Sequence, residues 1–190
     1  FRYGTRGSGT VETLSAAGRE YGFEIRLVDD VRAKEGRRAS STWIREALAA
    51  GNVREASEVL GALPTVRSVV VHGEQRGRAL GFPTANLRPG PEGLIPADGV
   101  YAGWLSVDGE RYPAAISVGN NPTFDGVPDR QVEAYVLDRE IDLYDKTVEV
   151  SFVDHIRGMM KFSGIPELVA KIEHDVSRVR EILGVPHQHS

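Results

Sequence analysis

Thr84 and Asn86 stand two residues apart behind a rigid Pro83, at the end of the run Gly73-Glu74-Gln75-Arg76-Gly77-Arg78-Ala79-Leu80-Gly81-Phe82-Pro83. If 84–86 is extended, the alternation of strand side chains puts the Thr hydroxyl and the Asn amide on one face. The glycines upstream let backbone N–H groups crowd an anion, and oxygen donors beside bound phosphates suit Mg2+. Those residue types fit a nucleotide polyphosphate and its metal. A polar turn, stiffened by Pro83 and capped by Asn86, accounts for them equally well. The chain holds no Gly-x-x-x-x-Gly-Lys-[Ser/Thr] loop and no protein-kinase catalytic set, so neither of those phosphate-handling frameworks applies.

The elements that must position these residues follow from periodicity. From Thr65 onward apolar residues recur every second position, which predicts strands over 66–71, 100–107, 111–118, 131–137 and 147–153. Asp108-Gly109 is a two-residue hairpin signal between two of them. Short strands spaced by turns suggest a small closed antiparallel barrel. Pro166 then opens a helix to about residue 183, with Leu168, Ile172, Val176, Val179 and Leu183 facing inward and Gly184 and Pro186 ending it. Residues 186–190 read as a tail. Upstream the pattern differs. A helix over 11–21 stops at Gly22, 23–28 alternates as a strand, and 29–38 is a charged loop. Ser40 or Ser41 caps a helix over 42–50, and another short helix covers 53–60. That order is the closing half of an α/β unit.

Composition narrows the classes. The hydrophobic share of 41% with 26% charged is ordinary for a globular protein, and no apolar run is long enough to span a bilayer. No charged-then-apolar leader reads as a signal peptide. With no Cys, disulfides, thiolate metal sites and Cys nucleophiles are excluded, and a cytoplasmic location fits. Residues 1–62 carry 10 Lys+Arg and 9 Asp+Glu, whereas residues 63–190 carry 13 and 18. The acidic balance argues against non-specific nucleic-acid binding. Any polyphosphate must be held by local donors and metal rather than by a broad positive field. His72 and His155 fall in strand patterns and read as structural.

The segment Gly77-Arg78-Ala79-Leu80-Gly81-Phe82-Pro83-Thr84-Ala85-Asn86 is similar to the Gly-Arg-x-x-Gly-Phe-Pro-Thr-Ala-Asn signature of riboflavin kinases. The likeness continues through Gly99-Val100-Tyr101, Ser117-Val118-Gly119-Asn120-Asn121-Pro122-Thr123-Phe124, and Glu133-Ala134-Tyr135-Val136-Leu137-Asp138 followed by Asp142-Leu143-Tyr144. It ends with Phe152 to Arg157, Lys161-Phe162 and a last helix with Asp175. Several ordered motifs at family spacing are more specific than any one of them. Phe1-Arg2-Tyr3-Gly4 and Ser40-Ser41-Thr42-Trp43-Ile44-Arg45 resemble two motifs of the flavin adenylyltransferase that precedes the kinase in bifunctional FAD synthetases.

The resemblance implies a mainly β fold: a six-stranded antiparallel barrel of Greek-key type with a C-terminal helix, preceded by the incomplete end of an α/β nucleotidyltransferase domain. Residues 1–62 would be the end of that adenylyltransferase domain and 63–185 the kinase domain. The implied reaction is phosphorylation of the riboflavin 5′-hydroxyl by Mg-ATP to give FMN. Thr84 and Asn86 would hold Mg2+, Gly77, Arg78 and Gly81 the ATP phosphates, and Glu133 would accept the hydroxyl proton. Arg157 and Phe162 would close over the flavin ring. A non-catalytic barrel binding flavin or nucleotide is the alternative. In the remnant, Ser40, Ser41, Thr42 and Arg45 would receive a triphosphate, yet the chain has no His-x-Gly-His, so adenylyl transfer to FAD is not expected of it. Opening on Phe1, it reads as a truncated or proteolysed piece of a bifunctional enzyme. Two departures from the family pattern are Gly158-Met159-Met160, where some members carry an acid, and Asp145, where Gly is common. Asp tolerates a left-handed position, so a local cost is expected there.

Overall fold

The computed structural model describes residues 2–32, 36–73, 76–120 and 130–186. The chain divides into two compact units, Phe1–Arg38 and Ala39–Ser190. No helix among the described residues is long and apolar enough to cross a membrane.

In the first unit, helix α1 (Val11–Tyr21) starts at a Thr10 cap, whose backbone N–H donates to Thr13 Oγ1 at 2.8 Å, and ends on left-handed Gly22. The expected strand over 23–28 is not formed. Phe23, Leu27 and Val28 are exposed, and no neighbouring strand pairs with them among the described residues. An alternating pattern makes a strand only when its N–H and C=O groups meet a ladder, and here none is at hand.

The second unit is built on helices α2 (Ser41–Ala49) and α3 (Val53–Leu60) and a barrel. Ser40 and Asn52 cap the two helices through their side-chain oxygens. Ala47, Leu48, Val53 and Ala56 are buried in one cluster with the barrel's own core residues, and Arg54 pairs with Asp154. By packing, these helices go with the barrel, although the sequence reading groups them within 1–62.

The barrel strands are β1 (Thr65–Val71), β2 (Thr84–Leu87), β3 (Gly99–Val107), β4 (Glu110–Asn120), β5 (Arg130–Val136) and β6 (Thr147–Arg157). They close in the order β1-β2-β5-β4-β3-β6, all antiparallel. Strand β6 returns beside β3 after three consecutive neighbours, which is the Greek-key order. Asp108 and Gly109, with φ of 52° and 83°, turn β3 into β4 as the sequence predicts. Strand β6 runs to Arg157, beyond the expected 153, because β3 continues to pair with it across a bulge, Tyr101 facing His155. Tyr101, Leu105, Ile116, Val132, Val150 and Phe152 fill the interior.

Helix α5 (Ile165–Leu183) lies outside the barrel, its Val179 in a second cluster with Ala102 and Leu137. Arg180, itself buried, donates to Asp138 and to the Pro186 carbonyl, tying the helix end to the end of β5. Asp145 does adopt a left-handed φ of 60°, and its N–H donates to Val70 O at 3.0 Å. One helical turn, α4 (Arg76–Ala79), occupies what the sequence reads as loop. The motif residues 74–75 and 121–124, and the tail 187–190, lie outside the described residues.

Candidate active site

Strand β2 sets the site. Thr84 and Asn86 point to the outer wall of the barrel, while Ala85 and Leu87 between and beyond them join the core. Asn86 stands opposite Glu133 of β5, and Thr84 opposite Tyr135. The Thr84 hydroxyl donates to Glu133 Oε2 at 3.3 Å, and Asn86 Nδ2 donates to the Thr84 carbonyl at 3.3 Å. On β5 the alternation sends Val132, Ala134 and Val136 inward and leaves Glu133 and Tyr135 on the same wall as the β2 pair.

Asn86 is buried although it faces outward, because the chain at Gly73 lies flat on its amide. A Cβ at Gly73 would come within 2.4 Å of Asn86 Cγ, so only glycine allows this approach. Gly77 makes a similar contact with the Phe82 carbonyl, 2.4 Å from where its Cβ would be, and the Phe82 N–H donates back to Gly77 O at 2.8 Å. Gly81 takes φ of +86° in the turn that follows.

Two cavities flank this wall. The first, about 340 Å3, is lined by Val70, Gly73, Arg78, Thr84 and Asn86 on one side and by the segment 139–144 on the other. Arg78 forms an ion pair with Glu140 at 2.9 Å at its edge, both side chains largely in solvent. Tyr144 lines it too, stacked on the His72 ring with centroids 3.8 Å apart. The second, about 270 Å3, lies between Gly77, Leu80, Phe82, Ser117, Glu133 and Tyr135 and the covering residues Arg157, Met159, Met160, Phe162, Leu168, Ile172 and Asp175. Its lining is mostly apolar, with a few polar groups converging on Glu133. Thr84 lines both cavities, with Asn86 on the first and Glu133 on the second.

The cover over the second cavity is held by charge. Arg157 Nε donates to Asp175 Oδ2 at 2.8 Å and Nη2 stands 2.7 Å from the same oxygen in an ion pair, with both side chains largely out of solvent. The same guanidinium carbon lies 5.8 Å from the Phe162 ring centroid, within cation–π range. Asp175 Oδ1 is buried with no hydrogen-bond partner, though Lys171 Nζ stands 3.7 Å away.

The structure therefore brings Thr84, Asn86, Glu133, Gly77, Arg78, Arg157 and Phe162 around one wall, whereas Gly81 lines neither cavity. Ser40 Oγ accepts from the Trp43 N–H at 3.2 Å, and Ser41, Thr42 and Arg45 are exposed on the first turns of α2. Sequence reasoning missed the close fit of Gly73 on Asn86, the wall formed by 139–144, and the anchoring of Arg157 by Asp175. Spacing carries no signal for the last, since 18 residues and a change of element separate the partners.

A family model described as Flavokinase, riboflavin kinase, matches residues 60–183. The bifunctional riboflavin kinase/FMN adenylyltransferase of Listeria monocytogenes is 37% identical over 182 residues, covering 95% of this chain and 57% of its own length. The protein of that name from Escherichia coli K12 is 37% identical over 186 residues, covering 97% of this chain and 58% of its own. A crystal structure titled as a macrolide-efflux protein from Streptococcus pneumoniae superposes with a TM-score of 0.83 at 38% identity, covering 95% of this chain and 57% of that one. The chain thus spans little more than half the length of these relatives.

Proposed function

Because the chain belongs to the riboflavin kinase family, we propose that its barrel transfers the γ-phosphoryl group of Mg-ATP to the 5′-hydroxyl of riboflavin, giving FMN and ADP. The observation that carries this reading is Thr84, shared by two cavities whose boundary is also marked by Asn86 and Glu133. A phosphoryl donor in the first cavity and a flat heterocycle in the second would meet there. The ring would lie under Phe162 and Arg157 with its ribityl chain running toward Glu133. Effective molarity from such placement is the main resource of a phosphotransferase, since the reaction needs little covalent help from the protein.

In the transfer, the 5′-oxygen forms a bond to the γ-phosphorus as the bond to the β–γ bridging oxygen breaks. Glu133 takes the hydroxyl proton, and ADP leaves. The Thr84 hydroxyl, within 3.3 Å of Glu133 Oε2, orients that carboxylate. Thr84 Oγ1 and Asn86 Oδ1 fit Mg2+: they are neutral oxygen donors on one face, and Asn86 Nδ2 is already committed to the Thr84 carbonyl. When bound, the metal neutralises charge on the β- and γ-oxygens. Two protein ligands suffice where phosphates and water complete the shell. The Arg78 guanidinium would add donors for the phosphates, exchanging Glu140 for the anion, whereas Gly77 lines only the second cavity and would reach them only from across the boundary.

Residues 1–62 belong, in this reading, to an adenylyltransferase module of a longer bifunctional enzyme. Its support is that the relatives of that name align over nearly the whole chain, beyond the span of the kinase model. The Ser40–Arg45 helix start would then receive a triphosphate. A cytoplasmic enzyme acting on small molecules, without nucleic acid, agrees with the acidic barrel and the lack of Cys. The test is incubation with riboflavin and Mg-ATP followed by chromatography. FMN formation that depends on Mg2+ supports the kinase. Tight flavin binding without product identifies a binding module, and FAD would assign adenylyl transfer to this chain.

A further inference from the structure

All the sulfur of these 190 residues sits in one place. The chain has no Cys and two methionines, Met159 and Met160, which are adjacent in sequence. Both line the second cavity, between Arg157 and Phe162. They are nevertheless 54% and 49% exposed, among the most exposed large apolar side chains of the barrel unit. Each thus has one side toward the cavity and one toward solvent. Met159 reaches across to β4, its Cε 3.1 Å and its Sδ 3.7 Å from where a Cβ would stand on Gly119. That strand contributes Ser117 to the same cavity, so the Met159 sulfur bridges the cover and the barrel wall.

A thioether serves well in that position because it is polarisable and adapts to a flat ring or to its absence. It is also the side chain that peroxides oxidise when no thiol competes. We infer that Met159 and Met160 form an oxidation site at the mouth of the flavin cavity, through which hydroperoxides lower the enzyme's affinity for riboflavin. This rests on the kinase reading, which supplies the cavity's occupant. One molecule of hydroperoxide, hydrogen peroxide being the simplest, is consumed for each sulfur and gives it one oxygen atom. Its O–O bond breaks and an S–O bond forms. The sulfur loses two electrons to the peroxide, and the other oxygen leaves as water with both protons.

The product is a dipolar sulfoxide, an acceptor that seeks water or a donor. At Met159 it would stand against bare β4 backbone at Gly119, where a Cβ would lie 3.7 Å from Sδ and 3.1 Å from Cε. Hydration of the new oxygen draws 158–162 away from the wall, and Phe162 goes with it. The first cavity contains neither methionine, so ATP should be spared. Methionine sulfoxide is reversible by its reductases, so the effect can be undone.

The full chain is treated with graded hydrogen peroxide, and sulfoxide at each methionine is followed by peptide mass spectrometry beside KM for riboflavin and for Mg-ATP. Loss of half-buried apolar contact at two side chains should raise the riboflavin KM by roughly five- to tenfold. The Mg-ATP KM should stay within about twofold, and methionine sulfoxide reductases should restore the starting value. The Met159→Leu, Met160→Leu protein, compared with its own untreated sample, should hold its riboflavin KM through the treatment. Sulfoxide at both sites with an unmoved riboflavin KM overturns the inference. So does equal sensitivity in the leucine variant, or no sulfoxide at doses that oxidise free methionine. In each of those cases the untreated enzyme still makes FMN, so the kinase reading stands. An untreated enzyme that makes none refutes that reading and this inference together.

Discussion

Gly73→Ala should damage phosphoryl transfer through a single methyl group placed against Asn86. Gly73 is not among the glycines with positive φ, so the substitution carries no left-handed backbone penalty. Its effect is steric. The new Cβ would lie 2.4 Å from Asn86 Cγ, 2.5 Å from Nδ2 and 2.6 Å from Oδ1, where ordinary contact begins at 3.4 Å, so the amide must give way by about 1 Å. Asn86 has little room to do so: it is 7% exposed and bonded to the Thr84 carbonyl. Overpacking of this kind costs about 1–3 kcal/mol of stability. Misplacing a reacting or ligating group by about 1 Å costs on the order of 10²-fold in rate. Removing the proposed metal ligand outright, with Asn86→Ala, should cost on the order of 10²–10³. In the Asn86→Ala background the added methyl meets no amide, and Gly73→Ala should then cost no more than roughly threefold further. The assay is kcat/KM for Mg-ATP at saturating riboflavin for all four members of the cycle, with urea unfolding to confirm the fold. Near-normal turnover in Gly73→Ala would refute the reasoning, as would an undiminished effect without Asn86.

Glu133→Gln keeps the shape and removes the proposed proton acceptor. Its kcat should fall by roughly 10²–10⁴ while calorimetry shows both ligands still bound; lost binding with normal turnover per complex would make Glu133 a ligand contact instead. Asp175→Ala strands the Arg157 guanidinium, 15% exposed, beside its vacated partner, and should cost roughly 3–5 kcal/mol in urea unfolding. Arg157→Met with Asp175→Leu should recover most of that stability without recovering riboflavin affinity, and recovery of both would remove Arg157 from the flavin site. Burial raises the Tyr101 hydroxyl from an ordinary value near 10 to about 12. The unfolded chain therefore releases this proton first, and stability should fall as pH rises from 10 to 12, by on the order of 2–3 kcal/mol. Tyr101→Phe should lack that decline, measured as denaturant midpoints across the range.

Much of the barrel was legible because its physics is local. The alternation of Val and Tyr along 131–137 needs only a neighbour on each side, and Asp108-Gly109 is suited to one kind of tight turn. The failure at 23–28 has the same root: alternation is necessary for a half-buried strand, but the partner ladder is non-local. Thr84 and Asn86 could be placed on one face from spacing alone. Their meeting with Glu133, 47 residues beyond Asn86 in number, depends on β5 rather than β3 lying beside β2, and that is a property of the closed topology. Gly73 on Asn86, Arg180 on Asp138 and Arg157 on Asp175 were illegible for the related reason that each joins separate elements through side chains or close backbone. A one-dimensional pattern records the type of each partner and nothing about the pairing.

The four-residue strand β2 is the seam of the barrel. Among the described residues its paired register covers Val70 and Val71 of β1, extended by the Arg88 N–H to Val69 O, and Thr84 to Asn86 against β5, whereas β3 and β4 are zipped from Gly99 to Val107. A sheet opens where its ladder is shortest, so this seam belongs to the low end of the local unfolding hierarchy. It is also the element that carries both Thr84 and Asn86. Substrates that engage those two side chains would fasten the cylinder shut, and by mass action their binding energy becomes folding energy for the seam. Amide exchange along 84–87 would then serve as a built-in reporter of occupancy, slow when the site is filled and fast when it empties. The interior strands would exchange at the global limit in either state. The proposed catalysis would thus be hosted by the stave that the cask can most easily spring.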